Sequence, residues 1–385
     1  MQLDLEKIRG EINAIDDEIT RLYETRLALC DEVAAYKMST GKAVLDKSRE
    51  DMIISRLTAG VKEENRDAVS ELYKRIFEIS RSRQSEKITG VNDFYKELSE
   101  KMKKSIPFPS KTTDAVACQG VDGAYSSIAC KTLFDAPATI YFENFESVFK
   151  SVSAGLCRYG ILPFENSIYG SVSEVYEMLS HFDGHVVGSV KLPIHHALLA
   201  NNGSSLSDIK EIYSHRQAIG QCSIFLSQNK NVKVIPCENT AVAAKMVAES
   251  GRRDIAAICS PVCADKYGLS VLQKDLQNAS LNYTMFYCIS KELEVFEGVN
   301  KAAFMFDLKD EAGSLESVLS RFSMAKINLT KIESRPIPGR DFDFMFYAEA
   351  DTKGIDDKML ALFTQLEEEL DFFKFVGIYK EVCAQ

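Results

Sequence analysis

Arg26 stands where its surroundings call for an apolar side chain. Ile8, Ile12, Ile15, Ile19 and Leu22 precede it, and Leu29 and Val33 follow, at the alternating gaps of four and three that mark a helical seam. A guanidinium held in such a seam must be paired. No fixed acidic partner lies beside it in sequence, so an anionic ligand suits it, as does a salt-bridged or snorkelling arginine. Lys37 follows three helical turns later on nearly the same face, ~16 Å along the axis. Arg9 is ~42 Å from Lys37 in a straight helix and cannot reach that site from its own chain. An antiparallel partner chain would bring it there and would also cover the seam. The next helical stretch puts Asp46, Arg49, Glu50, Ile53 and Leu57 on one face. A third stripe, Val69, Tyr73 and Ile76, ends in the polar Ser80 and Gln84. Apolar stripes broken repeatedly by polar groups describe a buried, cation-rich pocket.

Further along, polar groups gather where strands run into helices. QGVDGAYS (119–126), with Ser126, is neither GxGxxG nor GxxxxGK[ST], so a plain strand-to-helix turn competes with a phosphate loop. GILPFENSIYGSV (160–172) ends a strand in Glu165, Asn166 and Ser167, and Gly170 and Ser171 then open a helix. Such places suit anions, although N-capping alone also accounts for the serines. YSHRQAIGQC (213–222) repeats the arrangement with His215, Arg216, Gln217 and Gln221. NYTMFYCIS (282–290) is a strand carrying Thr284 and Phe286, where a threonine is also ordinary β propensity. The ten cysteines form no CxxC pair, and the five histidines no HExxH, so a zinc site is not expected and the thiols read as reduced.

The elements that must position these groups fall into three grammars. At 385 residues, 45% hydrophobic and 26% charged, the chain is an ordinary globular protein of two or three domains. A net charge of −10 argues against sequence-independent nucleic-acid binding. No stretch approaches the ~18 apolar residues of a membrane span, and the charged start carries no signal-peptide core. A cytoplasmic protein is expected. Residues 1–90 read as helical, the first helix running from about Leu3 to Met38. Residues 91–112 read as a linker. Residues 113–293 alternate β-branched runs with helical windows, which predicts parallel-type α/β sheets. Residues 299–382 follow a βαββαβ order, which predicts a ferredoxin-like sandwich.

The helical part resembles the all-α chorismate mutase family, with Arg9, Arg26, Lys37, Asp46, Arg49, Glu50, Ser80 and Gln84 in motif order over about 80 residues. The resemblance implies an intertwined homodimer in which Arg9 serves the other subunit's site. Arginines would clamp the two carboxylates of chorismate, Lys37 and Gln84 would donate to its ether oxygen, and Glu50 would orient its hydroxyl. Residues 113–293 resemble prephenate dehydratases through GxxGAYS, P-x-EN-S-x-x-GSV, YSHxQAxxQC and N-x-T-x-F. The implication is a two-lobed fold like periplasmic binding proteins, with the chain crossing near Leu192 and returning around 268–283. Thr284 would act on the leaving hydroxyl, among Ser126, Glu165, Asn166, Ser167, Ser171, His215, Gln221 and Phe286, with His215 bracing the junction. The family's Thr-Arg-Phe reads Thr284-Met285-Phe286 here, and Arg216 replaces a usual proline. Arg216 is expected to supply the missing cation; otherwise Met285 simply sits on an outward strand face, or this domain is impaired, prefers arogenate or only binds a ligand. The resemblance implies that the reaction needs neither metal nor cofactor. The C-terminal part resembles the ACT regulatory domain through DEAGSLESVLSRF (310–322) and the ESRP motif, with Gly313, Ser314, Leu315, Glu333, Ser334, Arg335 and Pro336 as the allosteric site. The whole resembles a bifunctional chorismate mutase and prephenate dehydratase inhibited by L-phenylalanine, with chorismate, prephenate and phenylalanine as ligands and no nucleic-acid or membrane partner.

Overall fold

The computed structural model describes residues 4–88, 93–279, 281–337, 344–352 and 357–384. The chain forms two compact units, Met1–Lys103 with Phe304–Phe375, and Lys104–Ala303 with Val376–Gln385.

In the first unit, α1 (Leu5–Thr40), α2 (Lys47–Thr58) and α3 (Arg66–Ile88) carry the stripes read from sequence. The Asp4 carboxylate caps α1 by accepting from the backbone N–H groups of Glu6 and Lys7. Gly41, at φ 65°, ends the helix in the left-handed conformation and returns its N–H to the Lys37 carbonyl. That cap carries α1 two residues past the expected end at Met38. Only Cys30 and Ala34 of α1 are buried. Ile12, Ile15, Ile19, Leu22 and Leu29 are 51–59% exposed, so the seam lies bare in a single chain.

Strands Lys301–Leu308, Leu329–Pro336, Phe344–Asp351 and Phe373–Tyr379, with helices Ser314–Met324 and Asp357–Glu369, follow the expected βαββαβ order. The second of these strands is at the sheet edge, followed by the third, the first and the fourth, the ferredoxin-like arrangement. Phe304 anchors its core, with ring centroids 4.9 Å from Phe322 and 5.5 Å from Phe363. Residues 338–343, which continue the stretch after the ESRP motif, lie outside the described residues.

The second unit contains two sheets. One runs β2 (Ala138–Phe142), β1 (Ala115–Gln119), β3 (Tyr159–Asn166), β11 (Tyr283–Ser290), β5 (His185–Pro193), with β4 (Gly170–Ser171) paired to β3. The other runs β10 (Ser270–Gln273), β6 (Ala197–Ala200), β9 (Ile255–Cys259), β7 (Glu211–His215), β8 (Lys233–Cys237). The chain thus crosses between Pro193 and Ala197 and returns between Gln273 and Tyr283. Where sequence grammar predicts parallel sheets, the observed ones are mixed: β11 runs antiparallel to both β3 and β5, and β6 runs antiparallel to β9. The reason is topological, because a chain that leaves a lobe and re-enters it can lay its returning strand against the direction of its neighbours.

Candidate active sites

In the helical part, Arg26 Nη1 donates to Ser80 Oγ at 2.6 Å, and its guanidinium lies 5.5 Å from the centre of the Phe77 ring. Among the described residues no carboxylate pairs with Arg26, so the salt-bridged alternative for it is not the arrangement seen. Lys37 Nζ donates to the Val44 carbonyl at 2.5 Å. Burial lowers its pKa, while the carboxylates of Asp46 and Glu50 act the other way. Asp46 caps α2 by accepting from the Arg49 N–H at 3.1 Å. The Gln84 side chain is buried, and its Oε1 has no hydrogen-bond partner among the described residues. A buried carbonyl oxygen without a donor is unusual. Contacts thus join Arg26 of α1 to Ser80 of α3, and Lys37 of α1 lies near Asp46 and Glu50 at the start of α2, while Gln84 follows Ser80 one turn later on α3. The side chains of Arg9 and Arg49 are exposed, and Arg9 sits at the far end of α1. Sequence reading missed Arg81, which is buried and donates to Glu50 from the same face of α3.

In the two-lobed unit, a cavity of about 510 Å³ is lined by Ser126, Asn166, Ser171, His215, Gln221, Thr284 and Phe286 of the expected set. Asn166 is its structural hub. Its Oδ1 accepts from the Ile168 and Tyr169 N–H groups at 3.0 and 3.1 Å, which fixes the amide orientation. Its Nδ2 then donates to Thr284 Oγ1 at 3.0 Å. A hydroxyl that accepts from an amide keeps its own proton to donate elsewhere. His215 caps the helix Arg216–Gln221, its Nδ1 accepting from the Gln217 N–H at 3.4 Å, and burial lowers its pKa.

Three expected residues are not brought into the lining. Glu165 pairs in register with Met285 across β3 and β11. Ser167 Oγ instead accepts from the Tyr283 N–H at 2.9 Å. Arg216 is exposed, directly behind its capping histidine, and does not supply the cation expected of it. The reason for expecting one also falls away. Thr284 and Phe286 face the cavity, and the alternation of a strand turns Met285 to the other side. Among the described residues no lysine or arginine lines this cavity. Its capacity for anions comes from neutral donors and from helix starts. Ala124 and Val172 open the helices Tyr125–Leu133 and Ser173–His181 without a side-chain cap, leaving backbone N–H groups at the cavity wall. His196 also lines the cavity and was missed from sequence; its Nε2 lies 2.7 Å from Gln221 Oε1, and burial lowers its pKa. The HH dipeptide carries no spacing that would have singled it out.

At the C-terminal sandwich, Gly313 adopts φ 91° before the helix Ser314–Met324, and a Cβ there would meet nothing within 4 Å. Glu333 Oε1 accepts from Arg335 Nη2 at 2.8 Å.

These two arrangements, a helical cation cluster and a cleft between α/β lobes, define a two-part enzyme, and known families match both. The chain matches the prephenate dehydratase family over residues 116–294 and the type II chorismate mutase family over residues 8–85. It is 36% identical over 276 residues to arogenate dehydratase/prephenate dehydratase 2 of Arabidopsis thaliana, covering 69% of this chain and 72% of that one. It is 28% identical over 378 residues to the bifunctional chorismate mutase/prephenate dehydratase of Enterobacter agglomerans, covering 97% and 95%. The crystal structure of prephenate dehydratase from Arthrobacter aurescens in complex with L-Phe matches with a TM-score of 0.63 at 27% identity, over 69% of this chain and 89% of that one. The chain belongs to the prephenate dehydratase family. It is an enzyme with a chorismate mutase domain and a prephenate dehydratase domain on one polypeptide.

Proposed function

We propose that the protein rearranges chorismate to prephenate in the helical cluster and converts prephenate to phenylpyruvate in the two-lobed cavity, under feedback inhibition by L-phenylalanine. Chorismate is a dianion whose rearrangement needs no nucleophile and no proton shuttle. The work is to clamp two carboxylates in the reactive conformer, the task of Arg26 and Arg49 and of Arg9 from a second chain. Lys37 and Gln84 donate to the ether oxygen as charge grows on it. Glu50 orients the hydroxyl, and Asp46 and Ser80 hold the basic cluster in place. Prephenate then loses CO2 and its ring hydroxyl. The hydroxyl must leave with a proton, and Thr284, polarised by Asn166, is the donor aimed at it. The Thr284 hydroxyl is too weak an acid to work by acidity, so positioning dominates. Neutral donors and helix N-termini hold the carboxylates.

The C-terminal sandwich acts as an ACT domain that binds phenylalanine beside Gly313, Ser314, Leu315 and the Glu333–Pro336 segment. The L-Phe complex of the Arthrobacter relative supports that ligand. A homodimer through α1, in the cytoplasm, completes the reading. The observation that carries it is a cluster of charged and polar groups contributed by three helices beside a bare apolar seam, with Arg9 at the far end of α1 beyond the reach of its own cluster. The test is an ultraviolet assay of chorismate loss and of phenylpyruvate formation, with and without phenylalanine. Both rates are expected, and both are expected to fall with phenylalanine. No phenylpyruvate from prephenate would remove the dehydratase reading. Rates flat up to roughly millimolar phenylalanine would remove the regulation.

A further inference from the structure

Arg81 follows Ser80 on α3 and precedes Gln84 by one turn, in a charged run that reads as a solvated face. Its side chain is only 8% exposed. Nη1 donates to both oxygens of the Glu50 carboxylate, at 2.6 and 2.5 Å. Nε lies 3.3 Å from Glu369 Oε1, at the end of helix Asp357–Glu369, an ion pair outside hydrogen-bond geometry. Glu369 in turn holds Arg321 Nη2 of helix Ser314–Met324 at 2.6 Å and accepts from Gln365 Nε2 at 3.0 Å. Both Glu369 and Arg321 are almost fully buried, at 5% and 7% exposed. An alternating chain of two anions and two cations, Glu50–Arg81–Glu369–Arg321, therefore runs inside one compact unit from α2 to the C-terminal module.

Stability does not account for such a chain. Desolvating four charges costs about as much as their pairing returns, and packed apolar side chains of similar size serve as well or better. What it does provide is a fixed carboxylate. Glu50 is faced by Arg81 from α3 and by Lys37 from α1, with Asp46 at the start of its own helix. With Arg81 in place, the carboxylate points one way.

We propose that Arg81 is a positioning residue for the mutase reaction, holding Glu50 on the substrate hydroxyl, and that Glu369 holds Arg81 in turn, so that the C-terminal module helps set the mutase rate. This rests on the reading that Glu50 contacts chorismate. It gives the module a route to the mutase through side chains, independent of any ligand on the module itself.

The test uses the full-length protein without phenylalanine and measures mutase kcat and KM across pH, with dehydratase turnover in the same sample as the control for folding. Glu369→Gln is expected to lower mutase kcat on the order of tenfold, the loss of one charge-assisted contact, and to leave dehydratase turnover unchanged. Arg81→Met is expected to lose at least as much, and Arg81→Lys to recover part of it. The double variant Arg81→Met/Glu369→Gln is expected to lose no more than Arg81→Met alone, because the two act in series. A structural role alone would lower the melting temperature and leave mutase kcat in place in Glu369→Gln and Arg81→Met alike, and that result overturns the proposal. Should Arg81→Met fail to fold, seen as loss of both activities, Glu369→Gln and Arg81→Lys decide by the same readouts. Glu50→Gln separates the two layers: unchanged mutase kcat/KM in that variant overturns the reading of Glu50 itself.

Discussion

Lys37 shows how one side chain can be legible in sequence yet acquire its chemistry only from its burial. Its position on the stripe is a matter of counting turns. Its proton is a matter of surroundings: burial disfavours the ammonium and lowers the pKa, against the pull of Asp46 and Glu50. The sign follows directly. A lysine with a lowered pKa gives up its proton at lower pH than an ordinary one, so a reaction that needs its N–H⁺ fails earlier on the alkaline side. Mutase kcat/KM, which reports the free enzyme, is expected to fall on that side at a lower pH than an ordinary lysine would titrate. Lys37→Arg, which cannot lose its charge in this range, should flatten the limb even as it lowers the rate. An alkaline limb at the position of an ordinary lysine, or one unchanged in Lys37→Arg, would remove Lys37 from the role of donor. The dehydratase cavity differs in kind. Burial lowers the pKa of both His215 and His196, Glu174 and Glu238 are the acids in its lining, and its neutral donors are Asn166, Thr284 and the helix starts.

Among the elements, strands could be read wherever a β-branched or aromatic run was long enough. β1, β3, β5, β7, β9 and β11 lie where those runs lie. The short β6 and β10 were not legible, because Ala197–Ala200 and Ser270–Gln273 become strands only by pairing in a mixed sheet. Met285 is left open by the sequence for a related reason. Its type departs from the family, but which face it takes depends on strand alternation relative to Thr284, and the outward-facing alternative is the one that matches the cavity lining. Arg81 was missed because its burial comes from Glu369, 288 positions later. Local sequence tells a solvated charge from a buried one only when the partner is also local. The strand Phe373–Tyr379 supplies a sharper test of packing. At Gly377 an added Cβ would lie 2.0 Å from the Val186 carbonyl oxygen, a backbone atom that cannot step aside alone. Gly377→Ala is expected to destabilise the second unit by about 1–3 kcal/mol or more through overpacking, read as a lower denaturation midpoint of dehydratase activity. An unchanged midpoint would mean that the contact with Val186 is looser than described.

For the whole molecule the open question is what covers α1. The helix is ~54 Å long, and its apolar seam is more than half exposed along most of that length. In the dimer proposed above, a second copy laid antiparallel would bury this seam and carry Arg9 to the other chain's cluster. Each mutase site would then take Lys37 from one subunit and Arg9 from its partner, a dependence that mixing experiments can read. Arg9→Ala alone lacks Arg9 at both sites, and Lys37→Ala alone lacks Lys37 at both, so each homodimer should be inactive as a mutase. A mixed dimer pairs the intact Lys37 of one variant with the intact Arg9 of the other, which restores one complete site of two. With random pairing, half the dimers are mixed, and co-expression should recover about a quarter of the wild-type mutase rate. Dehydratase turnover, which uses neither residue, should stay unchanged throughout and so certify that both variants fold. Recovery absent from a co-expressed sample that runs as a dimer, or a wild-type chain that runs as a monomer and still converts chorismate, would show that the cluster is completed within one polypeptide.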